Sequence, residues 1–433
     1  MSRMLHAWIN EQRVGTLYEA NGLWAFEYSP QWLANPDRYP LCPGIPLQAG
    51  LQRDSGTIRA VQWYFDNLLP EEGQRTLLAG SARLDAFDAF ALLAHYGAES
   101  AGSVTLLPDD EPRLARATHR LTDEALSRRI QQMPHIPLTH EAKKRMSLAG
   151  AQHKLAVILD HDELYEPEGS TASTHILKPD HPDLSYAHSV INEWFIMTLA
   201  ARVKLNVPAV TRRYVPQPVY LIQRFDRRKD EQGWIRLHSI DACQLLGLDR
   251  AYKYTAGSVD QLARLASMCL APAIARTQLF NWLVFNVLVG NTDAHLKNLS
   301  FLVDHQGIRL APFYDLISTA VYDTRAFDRD GWPEACTLAW PIGATARLGE
   351  MTRAILVEAG QGLGIKPATA GAIIDRLRTA VAKEAAGLYE ETERAHQSLG
   401  GERPELRATL SGELRCLRAI TKVVIADMCR RMA

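Results

Sequence analysis

The sequence of 433 residues contains no apolar run of 18 residues, so nothing in it reads as a membrane-spanning helix. Its opening, MSRMLHAWINEQRVG, lacks the apolar core of a signal peptide. Charge of one sign is missing too. Lys and Arg total 48 against 49 Asp and Glu, a formal net charge of −1, which argues against a broad nucleic-acid or membrane-binding face. Cysteine is sparse and scattered: Cys42, Cys243, Cys269, Cys336, Cys416 and Cys429 form no C-x-x-C pair. Reduced, buried thiols and a cytoplasmic location are expected, rather than a disulfide framework or a structural metal. Internal repeats, low-complexity segments, a Walker A motif and a G-x-G-x-x-G loop are all absent. His181 and His188 flank PDLSYA without further ligands at metal spacing and are set aside. What remains is a globular composition, 47% apolar and 22% charged, with material for two or three structural units.

Along the chain, residues 1–30 read as short strands with turns at Asn10-Glu11-Gln12 and Asn21-Gly22, and 59–97 as helical. The segment LLPDDEPRLARATHR (106–120) has no apolar period and marks a boundary. Strands are expected at GAQHKLAVILD, THILKPD, PVYLIQRFDRR and GWIRLHSI, with an amphipathic helix over 188–205. From about 241 the chain reads as mainly helical, apart from a hairpin turning at Asp304-His305-Gln306-Gly307 and a closing helix. The expectation is an α+β protein of three parts: a β-rich unit over 1–110, a strand-dominated region over 111–240 and a helical one over 241–433, with a cleft between the last two.

One stretch concentrates chemistry. TQLFNWLVFNVLVG (277–290) is apolar on all sides and predicts a buried helix, which delivers NTDAHLKN to a loop. Asp293 and Asn298 are five positions apart, the spacing of the Asp-x-x-x-x-Asn loop of protein kinases, and Asp315 follows the next hairpin. Phosphoryl transfer needs a carboxylate to orient the attacking hydroxyl and oxygen ligands for magnesium beside the phosphates. Lys178, at a strand end, is placed to reach nucleotide phosphates, with Glu193 on the next helix as its partner. Near RMSLAGAQHKLAV, small Ala149, Gly150 and Ala151 let backbone N–H groups approach phosphate; a simple turn capped by Ser147 is the alternative.

Together MSLAGAQHKL, THILKPD, INEWFIMTLAARVKLNVP, QRFDRR, DACQLLG, GNTDAHLKNLSFL and LAPFYDLIST resemble the HipA family of bacterial serine/threonine-kinase toxins, while RVGTL and FDNLLPEEG resemble its small N-terminal domain. The resemblance implies a kinase-like two-lobed fold with a small extra N-terminal domain. It also implies Asp293 and His295 as catalytic residues, the latter near the transferred phosphate, with Asn298 and Asp315 on magnesium. ATP would be bound by Ala149, Gly150, Ala151, Gln152, His153 and Lys154 as phosphate loop, and by Lys178. Gln223, Arg224, Phe225 and Asp226 would form the hinge, with His295, Asn298, Tyr314 and Asp315 completing the site. The hinge commonly starts with Glu rather than Gln223, and Ile240 stands where the family often has an acidic residue. Ser147 falls on the family's autophosphorylated serine. Implied partners are a helix-turn-helix antitoxin of the HipB type, operator DNA reached only through it, and a protein substrate such as an aminoacyl-tRNA synthetase. Small-molecule phosphorylation and a non-catalytic co-repressor role are the alternative functions.

Overall fold

The computed structural model describes residues 3–108, 115–142, 144–146, 148–150, 152–231 and 233–433. Ser147 and Ala151 lie outside the described residues. The chain is mixed α+β and forms two compact units. The first gathers Met1–Pro179, Leu221–Tyr252 and Ser300–Ala311; the second gathers Asp180–Tyr220, Lys253–Leu299 and Pro312–Ala433.

In the first unit the opening strands follow from period-two patterning. In Arg3–Ile9 the residues Leu5, Ala7 and Ile9 are buried while Met4, His6 and Trp8 are not. Asn21 and Gly22 both take positive φ, the geometry of a tight hairpin turn, between Gln12–Ala20 and Leu23–Tyr28. The antiparallel sheet runs Gln52–Arg53, Leu23–Tyr28, Gln12–Ala20, Arg3–Ile9, Val104–Leu107. Helices Ala60–Asp66, Glu72–Ala82 and Ala89–Tyr96 accompany it, with Phe65 set 5.7 Å from Phe26 in the core.

A second sheet in this unit places Ala117–Arg120, Glu163–Glu168, Leu155–Asp160 and His175–Pro179 side by side. The register Leu155↔Leu177 carries Lys154 and Lys178, one step beyond each, to the same end of neighbouring strands. Ser239–Asp241, Ser300–Asp304 and Gly307–Leu310 form a third sheet, whose hairpin pairs Asp304 with Gly307 at the expected turn. The boundary segment 106–120 thus holds the end of one strand and the whole of another.

In the second unit the expected buried helix spans Pro272–Val289, with Pro272 in its first turn and every residue from Trp282 to Gly290 buried. The helix expected over 188–205 spans Ser189–Arg202, but it is buried nearly all round rather than amphipathic, with only Ala201 exposed. The closing segment is longer than its spacing suggested: a 36-residue helix, Pro367–Glu402, precedes Arg407–Ala419 and its π-helical continuation Ile420–Ile425. The region after 241 is also less purely helical than expected, because a further hairpin pairs Thr337–Ile342 with Thr345–Arg347.

Candidate active site

Gly290 ends the buried helix in the left-handed conformation (φ 65°), and its amide closes on Val287 O. A β-carbon there would sit 2.6 Å from Val424 Cγ1, so glycine is needed for both conformation and space. Polar groups then hold the loop from below. Asn286 Nδ2 donates to Trp282 O (2.9 Å), Asn291 Nδ2 to Asn286 Oδ1 (2.8 Å), and the Asp293 amide to Asn291 Oδ1 (3.0 Å). Thr292 bonds through its amide and hydroxyl to Thr319 Oγ1.

Asp293 is fixed at its root. Its carbonyl accepts from the His295 amide (2.8 Å) and from Asn298 Nδ2 (3.0 Å). Its carboxylate accepts from the Tyr254 hydroxyl at 2.9 Å, and the His295 ring stands edge-on to Tyr254 at 5.1 Å. The expected catalytic pair is therefore held by one small network within the second unit.

The same network bears on a divalent cation. Asn298 commits the donor end of its amide to Asp293 O, so its carbonyl oxygen is the end that suits a hard cation. Asp315 adopts φ 58°, a conformation that costs about 1 kcal/mol or more outside glycine and is kept where a side chain must be aimed. The Tyr314 hydroxyl donates to Lys297 O (2.8 Å), tying the irregular stretch that carries Asp315 to the residue before Asn298. Among the described residues no group of three or more His, Cys, Asp or Glu forms a metal cluster. An amide oxygen with one carboxylate fits magnesium, which completes its shell with phosphates and water, rather than zinc. Glu193 and Tyr220 are both buried. Burial, with Glu193 and Asp315 nearby, pushes the Tyr220 phenol well above its ordinary range.

In the first unit, Gly150 takes φ 108°, and a β-carbon would lie 2.6 Å from Lys154 Nζ, which donates to Ala149 O. The Gly150 carbonyl accepts from the Glu71 amide, anchoring this stretch at the N-terminus of Glu72–Ala82. Gln152 is half-buried and His153 buried; Lys178 is buried at the end of His175–Pro179.

The expected hinge divides sharply. Gln223 is exposed and Phe225 half-buried, whereas Arg224 and Asp226 are buried. Asp226, expected beside a ribose, accepts from Arg224 Nε (2.9 Å) and Nη2 (2.7 Å) and from the Gly102 amide (2.7 Å). Arg224 and Arg227 also meet Glu99, which binds Lys144 at 2.9 Å and Arg236 at 2.6 Å. Burial alone would raise the Glu99 carboxyl, but Arg236, Lys144, Arg227 and Arg224 hold it well below the usual range. Burial lowers Lys144 to about 8 against the pull of Glu99. Sequence reasoning did not anticipate this cluster, nor Tyr254. Tyr254 lies 39 residues from Asp293 in a segment without periodicity, so no local pattern links the two.

Comparison with known proteins bears on the family and the fold. Residues 146–385 match the family model for the HipA-like C-terminal domain, and residues 5–107 match that for the HipA N-terminal domain. Y4mE of Sinorhizobium fredii, named as a kinase, is 33% identical over 88% of this chain and 91% of its own length. The serine/threonine-protein kinase toxin HipA of Shewanella oneidensis is 32% identical over 69% of this chain and 71% of its own. The solved complex of HipA, HipB and operator DNA from Shewanella oneidensis contains a chain superimposing with a TM-score of 0.80 at 26% identity, covering 99% of this chain and 97% of that one.

Proposed function

This chain belongs to the HipA family of serine/threonine-protein kinase toxins, and we propose that it uses ATP and magnesium to phosphorylate a protein hydroxyl as the toxin of a HipBA-type module. The observation that carries the site assignment is the pinning of Asp293, whose carbonyl takes two hydrogen bonds while its carboxylate meets Tyr254. A carboxylate on so constrained a root suits the orientation of an attacking hydroxyl and acceptance of its proton. The Asn298 carbonyl and the Asp315 carboxylate would hold magnesium, which when bound neutralises charge on the phosphates. His295 stands beside Asp293, close to the transferred group in this reading.

Lys178, with the backbone of Ala149–Lys154, binds the phosphates; the placement of Lys154 and Lys178 at one sheet end supports this. Gln223 and Phe225 offer main-chain atoms to adenine. Arg224 and Asp226, buried in the Glu99 cluster, act here by holding the hinge rather than by touching ribose. Phosphorylation of Ser147 would add nearly two negative charges beside the phosphate loop and shut the kinase off. The antitoxin is a HipB-like helix-turn-helix protein, a reading supported by the complex of the Shewanella relative. The substrate is a translation component such as an aminoacyl-tRNA synthetase. Six buried free thiols, and the absence among the described residues of a helix long and apolar enough to cross a membrane, suit a reducing cytoplasm.

Incubating the purified chain with labelled ATP, magnesium and cell lysate tests the reading. Label should enter protein at serine or threonine, and Asp293→Asn should lower its rate by about a hundredfold or more. An Asp293→Asn variant as active as wild type would overturn the assignment. Phosphosite mapping of the same sample should find Ser147 modified; an unmodified Ser147 in active enzyme would remove the autophosphorylation proposal.

A further inference from the structure

The candidate catalytic loop is not held only from the helix that delivers it. A cavity of about 20 Å³, room for about one water, is lined by Asn291 and Ala294 of the loop, by the helix below and by Trp340. Further restraint comes from two segments distant in sequence, both in the second unit.

The segment Lys253–Gly257 is the first. Lys253 O accepts from the Leu296 amide at 3.1 Å, within the loop itself. The next residue, Tyr254, is 37% exposed, so its ring contributes little burial, yet its hydroxyl donates to Asp293 Oδ1 at 2.9 Å. Such a bond to an ionised acceptor is worth more than a neutral one. The second segment is the hairpin strand Thr337–Ile342. Its buried Trp340 donates Nε1–H to Ala294 O at 3.0 Å, the carbonyl of the residue that follows Asp293. A buried indole needs such an acceptor, and this one lies on the loop. The two segments also fix each other, because a β-carbon on Gly257 would collide with Cγ and Cδ1 of Trp340. Asp293 is thereby gripped directly through its side chain, and through the carbonyl of its neighbour Ala294.

We propose that Tyr254 and Trp340 are positioning residues for phosphoryl transfer, a clamp that sets the direction of the Asp293 carboxylate. Neither needs to touch substrate or nucleotide; both act through Asp293. This rests on the reading of Asp293 as the catalytic carboxylate. Effective alignment of a base is sensitive to displacements of about 1 Å, which loss of either bond would permit. The two restraints act on one residue, so their losses should combine less than multiplicatively.

The test uses the full chain with Tyr254→Phe, Trp340→Phe, the double variant and Asp293→Asn. Transfer of label from ATP to lysate protein is followed across ATP concentrations, and affinity for a fluorescent ADP analogue with magnesium is measured in parallel. Tyr254→Phe should lower the maximal rate by about tenfold and Trp340→Phe by about three- to tenfold, with half-saturating ATP and ADP-analogue affinity within about twofold of wild type. A thermal melt checks that each variant is folded; Tyr254, being partly exposed, should melt as wild type. If Asp293→Asn is inactive while both Phe variants turn over at the wild-type rate, the clamp is refuted and the site assignment stands. Weakened nucleotide binding at an unchanged maximal rate would also refute it. If Asp293→Asn itself remains active, the underlying assignment is what fails.

Discussion

Glu413 shows how much a single buried side chain can depend on folding. It lies in Arg407–Ala419 with the Tyr214 hydroxyl donating to it at 2.7 Å, Arg212 at 3.5 Å and His396 Nε2 at 3.3 Å. Burial pushes its carboxyl from 4.5 up to about 7, with Arg212 and Tyr214 opposing and Asp180 assisting. Burial takes His396 the other way, from 6.5 to about 4, so this contact is not an ion pair at neutral pH. The raised carboxyl contributes stability that is fully present below pH 4.5 and lost as pH rises through about 7. His396 has the opposite sign, destabilising the fold as pH falls from 6.5 through about 4, and Asp180, raised to about 6 by burial, adds to the Glu413 trend at lower pH. Relative to Glu413→Gln, the wild type should therefore lose melting temperature as pH rises from about 4.5 through 7; a difference between the two that does not change with pH would exclude Glu413 as a titrating group. At this scale the sequence exposed Asp293, Asn298 and Asp315 through spacing. It hid Tyr254, Trp340 and Glu413, because each acquires its role from a neighbour far along the chain.

Elements were readable where burial and local chemistry coincide. The helix Pro272–Val289 announced itself by apolar residues on all its sides over 277–290 and by its terminal Gly290, and Ala242–Leu246 carries the Asp241–Gln244 capping box with Gly247 behind it. Gly290→Ala should lower stability by about 1–3 kcal/mol, since it opposes the left-handed conformation and meets Val424 and Ala320. Denaturant unfolding measures this, and a neutral effect would mean that the helix end relaxes freely. Strands were missed where their patterning departs from apolar alternation. Ala117–Arg120 is exposed at all four positions, and Glu163–Glu168 places Glu166 at a buried site. That carboxylate is accommodated only because Arg129 meets it with two bonds, at 2.7 and 3.0 Å. A charged residue at a core position looks like a loop until its partner is known.

For the molecule as a whole, the first unit is bound together by charge as well as by its apolar core. Glu99 and Asp226 face Lys144, Arg224, Arg227 and Arg236, six residues from four separated stretches of sequence. Such a cluster need not add net stability, but removing one partner leaves buried charge uncompensated. Glu99→Gln should therefore destabilise the protein by about 3–5 kcal/mol, seen as a lower denaturant midpoint. A midpoint matching wild type would mean that Asp226 and water suffice for the four cations. By itself the sequence determined the α+β class, the buried helix, the kinase-like spacing of Asp293, Asn298 and Asp315, and the family, because these depend on local periodicity and ordered motifs. Only the tertiary structure decided that Asp226 serves an ionic cluster, that the hairpin Ser300–Leu310 joins the first unit, and that Tyr254 and Trp340 grip the Asp293 loop. Those outcomes turn on hydrogen bonds and charges meeting across 39 to more than 120 residues of chain, a proximity that no local pattern encodes.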